Sequence, residues 1–220
     1  GQEYNNDVIK EILDNLNFNY NFYNNKDRDE LIINKIIEQN VVGLFLGRME
    51  FGPRALGSRS IIADPRSQDM QKKLNLKIKF RESFRPFAPA ILEEYFNEWF
   101  ESEMKNSPYM LFTARVRKEK LNKVNINQYY GFDKLNANIS KIPAVTHVDY
   151  SARVQTVSKK DNEKFYNLIN CFYKKTGTPI LINTSFNVRG EPIVCSPEDA
   201  YRCFMRTEMD ILVLENQILY

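Results

Sequence analysis

The chain has 220 residues, of which 43% are hydrophobic, 27% charged and 13% aromatic. That is material for one large domain with a real core, and it excludes wholesale disorder. Lys and Arg number 31 against 28 Asp and Glu, and a net charge of +3 is too small to imply nucleic-acid binding by itself. The single histidine, His147, leaves Ser-His-Asp chemistry and multi-histidine metal centres almost without material. Three cysteines with no CxxC spacing support neither structural zinc nor a disulfide framework. No apolar run approaches the length of a membrane span, and the first residues lack a signal-peptide pattern, so a cytoplasmic protein with reduced thiols is expected.

Residues 1–28 are rich in Asn and Tyr. Ile9, Ile12, Leu13 and Leu16 recur at helical spacing, which predicts a short amphipathic helix followed by a polar linker. Asp29 to Gln39 reads as a second helix with Ile32, Ile33, Ile36 and Ile37 on one stripe. VVGLFLG (41–47) is a short apolar run bounded by glycine, a buried strand. Residues 67–76 read as helical. RPFAPAIL (85–92) cannot be a helix interior, because Pro86 and Pro89 remove donors and push their predecessors to extended geometry. A helix is predicted near 93–101, then a strand over YMLFTARV (109–116). Residues 117–141 lack periodicity and read as a surface insertion. ARVQTV (152–157) reads as one strand, Asp161 to Lys175 as a helix capped by Gly177, and TPILIN (178–183) as a strand. Ser196-Pro197-Glu198-Asp199 gives an N-cap, a proline in the first turn and acids beside it, for a helix to about Met205. DILVLEN (210–216) reads as the closing strand. Strands and helices mixed without βαβ alternation predict an α+β fold.

Four segments carry chemistry. GRMEFGPRALGSRSIIADPR (47–66) packs three glycines, two prolines, four arginines and two acids into a stretch with no amphipathic period until SIIA. Glycine lets backbone approach a ligand, and the arginine fork suits carboxylate or phosphate. There is no GxxxxGK[ST] string, which excludes a P-loop. In KIKFRESFRPFAPAIL (77–92), an extended chain would place Lys79, Arg81, Ser83 and Arg85 on one wall, with Ile78, Phe80 and Phe84 opposite. Burying such a row without an anion is costly. In NTSFNVRGEPIV (183–194), Asn183, Ser185 and Asn187 share a face after a strand, and Arg189-Gly190 marks a turn. In VTHVDYSARVQTV (145–157), Arg153 and Gln155 alternate with Val154 and Val157, so both are expected at a pocket.

Together, GRMEFGPRALGSRSIIADPR, KFRESFRPFAPAIL, VTHVDYSARVQTV and NTSFNVRGEPIV resemble, in order, the C-terminal half of the carbamoyltransferase family of NodU, CmcH and TobZ. The resemblance implies a YrdC-like α+β domain, a twisted mixed sheet with flanking helices around a basic cavity, over residues 41–220. Residues 1–40 would then be a helical extension or linker from an absent N-terminal domain that binds the hydroxyl acceptor. It implies carbamoyl-adenylate formation from carbamoyl phosphate and ATP, with Mg²⁺ arriving on the nucleotide and no protein-built metal site. Lys79-Phe80-Arg81 and Ser185-Phe186-Asn187 are similar to the K-x-R and S-x-N pattern of YrdC proteins. By that likeness Lys79, Arg81 and Arg85 would be catalytic, and Arg54, Ser185, Asn187, Asn183 and Arg153 would bind ATP or the carbamoyl group. Ser58 and Tyr150 depart from the family, which commonly has Asn or His, and Gly, at those places. The alternative is a non-catalytic nucleotide- or RNA-binding module, since basic residues interleaved with Phe and Tyr also make stacking platforms.

Overall fold

The structure, a computed structural model, describes residues 1–124, 128–131, 134 and 137–220. Helix α1 (Asn6–Asn15) starts at Asn5, whose side chain accepts from the Val8 amide. Strand β1 (Asn21–Phe22) and helix α2 (Asn25–Ile37) follow, then strands β2 (Val42–Phe45) and β3 (Arg59–Ala63). A short α3 (Met70–Lys73) widens into one π-helical stretch (Leu74–Ile78) before β4 (Ala88–Leu92). Short elements α4 (Phe96–Trp99), β5 (Phe100–Glu101), β6 (Thr113–Val116), β7 (Ser151–Arg153) and β8 (Gln155–Val157) come next. The chain then runs through α5 (Glu163–Thr176), β9 (Ile180–Ser185), α6 (Pro197–Met205), β10 (Ile211–Leu214) and β11 (Gln217–Leu219).

Among the described residues the main sheet has the order β1-β11-β10-β2-β3-β9-β4-β8, and β5-β6-β7 form a smaller one. The β10–β2 and β4–β8 pairs are parallel and the rest of the main sheet is antiparallel. One face is covered by α2 and α5, where Ile32, Ile33 and Ile36 meet Phe165, Leu168 and Phe172 over Leu44, Ile62 and Val213. On the other face Ile9 and Leu13 of α1, Leu74 and Ile78, and Ala200 and Phe204 of α6 pack with Ile61, Ile182 and Leu212. Burial of that apolar area, at about 25 cal/mol per Å², is the main force holding the layers.

Several boundaries differ from the sequence expectation. The polar linker after α1 contributes β1, whose Asn21 and Phe22 pair with Ile218 and Gln217. Helices α1 and α2 pack in the same cores as the sheet. The single strand over 152–157 is two strands, one in each sheet, with Val154 as the crossing residue. Residues 109–112 precede β6 without joining it. The helix near 93–101 is a 3₁₀ turn, the one-turn α4 and then β5. After Leu214 the chain turns through Glu215, at a φ of 50°, and returns as β11. Part of the 117–141 insertion (125–127, 132–133 and 135–136) lies outside the described residues, and a bridge between Leu121 and Ser140 closes its base. Gly177, at a φ of 72°, ends α5, and Ser196 with Asp199 forms a reciprocal cap on α6, both as the sequence predicts.

Candidate functional site

Strand β9 organises the site. Its C-terminal end lies beside the starts of both antiparallel neighbours, with Ser185 opposite Ser60 of β3 and Asn183 opposite Ala88 of β4. The loop before β3, the loop before β4 and the loop after β9 therefore meet at one place. Two cavities open there. The inner one, about 140 Å³, is walled by Arg54, Arg81, Arg153, Asn183 and Ser185 among others. The outer one, about 200 Å³, takes Lys79, Arg81, Arg85, Ser185, Asn187 and Arg189. Arg81, Thr184 and Ser185 line both, so the two form one cleft. Among the described residues no carboxylate side chain lines either cavity.

The 79–85 stretch is not the extended row of donors expected. After the π-helical turn the Lys79 amide donates to the Leu74 carbonyl, and Phe80 stands at a φ of 46°, which breaks strand alternation. Asn75, a residue the sequence reading passed over, is buried at the hub of this loop. Its Nδ2 donates to the Ser83 and Arg85 carbonyls at 3.0 and 2.8 Å, and its Oδ1 accepts from Arg81 Nε at 2.6 Å. Arg81, held through its Nε, lines the cleft, and its guanidinium lies 4.9 Å from the Phe87 ring centre. Ser83 lines neither cavity; its carbonyl is one of Asn75's acceptors.

Lys79 is almost fully buried. Its ammonium donates to the Ser185 carbonyl, to the Asn187 carbonyl at 2.9 Å and to Asn187 Oδ1 at 3.0 Å. Ser185 Oγ donates to the same Asn187 Oδ1 at 2.7 Å, and Asn187 Nδ2 donates to the Glu191 carbonyl. Lys79 therefore staples the loop before β4 to the end of β9. Burial, then the charge of Arg81, push its pKa down to about 7. Burial and Arg85 lower Arg81, and burial and Arg54 lower Arg153. Arg85 sits at the outer rim, half exposed, and shares its charge with Glu82 at 2.9 Å.

Gln155 was expected to face the pocket, and instead it lies beneath it. Its Nε2 donates to the Leu56 carbonyl at 2.9 Å, and its Oε1 accepts from Asn183 Nδ2 at 2.6 Å. The arginines of the 47–66 segment divide by role. Arg54 lines the inner cavity, Arg48 is exposed near Glu3, and Arg59 is a buried structural brace. Arg59 donates to the carbonyls of Leu46, Gly47, Ser58 and Gln2, with its guanidinium 3.4 Å from the Phe45 ring centre. Glu50 Oε1 accepts from the amides of Leu56, Ser58 and Arg59, which shapes the FGPRALG loop from inside. Gly57 has a φ of 112°, and a Cβ there would stand 2.2 Å from the Phe165 ring. Tyr150 holds a φ of 65°, a conformation that explains why glycine suits that place. Arg189 joins the cleft without having been singled out; its Arg-Gly turn was the only signal. His147, half-buried and lowered by burial, lines a separate cavity beside Pro86.

Residues 33–220 match the profile of the Carbamoyltransferase C-terminus family. A protein of Synechocystis, called uncharacterized protein sll1178, is 55% identical over 91% of this chain and 33% of its own length. The 3'-hydroxymethylcephem-O-carbamoyltransferase of Streptomyces clavuligerus is 36% identical over 79% of this chain and 29% of its own length. The chain thus spans about a third of the length of these relatives. Among solved structures, full-length HypF in its phosphate- and nucleotide-bound form aligns at a TM-score of 0.53 with 14% identity, covering 86% of this chain and 25% of that one. That likeness is one of fold, and the α+β, YrdC-like class expected from the sequence holds. With three quarters or more of its residues matched to the profile, the chain belongs to the carbamoyltransferase C-terminus family.

Proposed function

We propose that this domain makes carbamoyl-adenylate from carbamoyl phosphate and ATP, for transfer to a hydroxyl acceptor bound by an N-terminal domain. One observation carries the reading. Lys79, Arg81 and Arg153 converge on a cleft that, among the described residues, no carboxylate side chain lines, and burial and neighbouring arginines disfavour their charges. A polyanion reverses that penalty, and charge-assisted hydrogen bonds contribute roughly 1.5–3 kcal/mol each.

In the reaction, hydrolysis of carbamoyl phosphate releases phosphate and carbamate. A carbamate oxygen then forms a bond to the α-phosphorus of ATP, and the bond to pyrophosphate breaks. Both reactants are anions, so the barrier is largely electrostatic. Arg54, Arg81 and Arg153 in the inner cavity would neutralise the carbamate and α-phosphate as they approach. Lys79, Arg85 and Arg189 in the outer cavity would hold the departing pyrophosphate, and the staple of Lys79 to Ser185 and Asn187 would fix the geometry. No covalent nucleophile is required. Among the described residues no group of three or more His, Cys, Asp or Glu is placed to hold a metal ion, and the cleft lining is cationic. Mg²⁺ therefore fits only as a passenger on the triphosphate, and no step is assigned to it. Pyrophosphate release that requires both ATP and carbamoyl phosphate supports the reading. A folded protein that binds ATP yet releases none, with Mg²⁺ present, counts against adenylation.

A further inference from the structure

Asn75 belongs to the π-helical stretch Leu74–Ile78, where the helix widens before the loop that leads to β4. Its side chain is fully buried, a place a polar group tolerates only when its hydrogen bonds are met. They are met at both ends of the amide. Nδ2 donates to the Ser83 and Arg85 carbonyls, and Oδ1 accepts from Arg81 Nε at 2.6 Å. The Asn75 carbonyl also accepts from the Arg81 amide at 3.0 Å. The two carbonyls can only accept and the Nε–H can only donate, so the amide has one orientation. Aspartate here would set oxygen against two carbonyls, and an apolar residue of the same size would strand three groups.

The consequence falls on Arg81. With Nε committed to Asn75, its guanidinium keeps only Nη1 and Nη2 for a ligand. Among the described residues neither has a hydrogen-bond partner, and both retain accessible surface on a side chain that lines both cavities. An arginine fork can grip an oxyanion side-on, through Nε and one Nη, or end-on, through both Nη. The bond to Asn75 removes the side-on mode. We infer that Asn75 is a positioning residue, which clamps Arg81 by its Nε so that the guanidinium meets the ligand anion end-on and in one direction. The inference rests on the adenylation reading above and adds to it the group that aims the arginine. Gln71 braces the same loop, donating from Nε2 to the Phe84 and Arg85 carbonyls at 3.1 and 3.2 Å, but it bonds to no arginine side chain. It therefore separates ordering of the loop from aiming of Arg81.

The test measures pyrophosphate release at saturating ATP and carbamoyl phosphate. Wild type is compared with Asn75→Ala, Arg81→Lys, the double variant and Gln71→Ala, each checked by thermal melting to be folded. Lysine keeps the charge at position 81 but has no Nε–H for Asn75 to hold. Misplacing a reacting group by about 1 Å can cost on the order of a hundredfold, so Asn75→Ala should lose at least about tenfold in rate. In the Arg81→Lys background the same change should cost less than about threefold, because nothing is left to aim. Gln71→Ala should likewise cost less than about threefold, since the Asn75 clamp survives it. A loss in Asn75→Ala below that level overturns the inference. So does a loss as large in the Arg81→Lys background as in wild type, or as large in Gln71→Ala. If wild type releases no pyrophosphate, the adenylation reading falls and takes the inference with it. Should Asn75→Ala fail to fold, nitrogen NMR of the wild type decides. The arginine Nε–H resonance that disappears in Arg81→Lys should exchange slowly with water and hold its position when tripolyphosphate is added to saturation. Fast exchange, or a shift of that resonance with tripolyphosphate, overturns the inference.

Discussion

Lys79 offers the sharpest quantitative consequence of the cleft. Its folded pKa of about 7 has burial as first cause and Arg81 as second. The neighbouring Cys203 thiol, raised by burial to about 11, stays protonated at neutral pH and supplies no compensating charge. At pH 8 roughly one tenth of the free protein carries a charged Lys79, from the simple titration of a group with that pKa. A triphosphate in the outer cavity would restore the charge, so binding should take up about 0.9 proton per site at pH 8. Affinity should then fall about tenfold per pH unit above 7 until the pKa of the complex is reached. Calorimetry of ATP binding in two buffers of different ionisation enthalpy measures the uptake directly, and Lys79→Met should abolish it. An uptake near zero in the wild type, or one unchanged in Lys79→Met, refutes the reasoning.

The same depressed pKa makes unliganded stability depend on pH. Between about pH 7 and the model-peptide lysine value of about 10.4 the unfolded chain binds the extra proton, so the Lys79 contribution should make stability rise with pH across that window, read by urea denaturation. Gly57→Ala, with its Cβ forced onto the Phe165 ring at a φ that side chains avoid, should lose about 3 kcal/mol in the same assay. Arg59→Met strips donors from four carbonyls under the FGPRALG loop and should cost about 3–5 kcal/mol. Arg153→Met removes a cation that burial and Arg54 already disfavour, so the melting temperature should hold or rise while ATP-induced stabilisation drops.

Much of the site was legible because its segments are compositionally odd. FGPRALG and FRPFAP crowd glycine, proline and arginine where periodic elements cannot form, and those loops do border the cleft. The helix caps at Gly177 and Ser196 were equally readable, since capping is a local interaction. What failed depended on contacts distant in sequence. Nothing near Asn75 in the sequence announces that its side chain will order residues 81–85, and alternation misled over 79–85 because a π-helical turn replaces the strand. Arg54 and Arg59 sit in one motif and look alike on paper. Only the fold sends one to the cavity and the other into the core. The end of β11 is apolar and short, and became a strand through pairing with β10 and β1.

The decisive measurement is a crystal structure of this chain with a non-hydrolysable ATP analogue. The triphosphate should lie in the cleft between Arg81 and the Ser185–Asn187 turn, with the α-phosphate nearest Arg54 and Arg153. Phosphates found on another face, with Lys79 still joined to Ser185 and Asn187 and no ligand beside them, would contradict it.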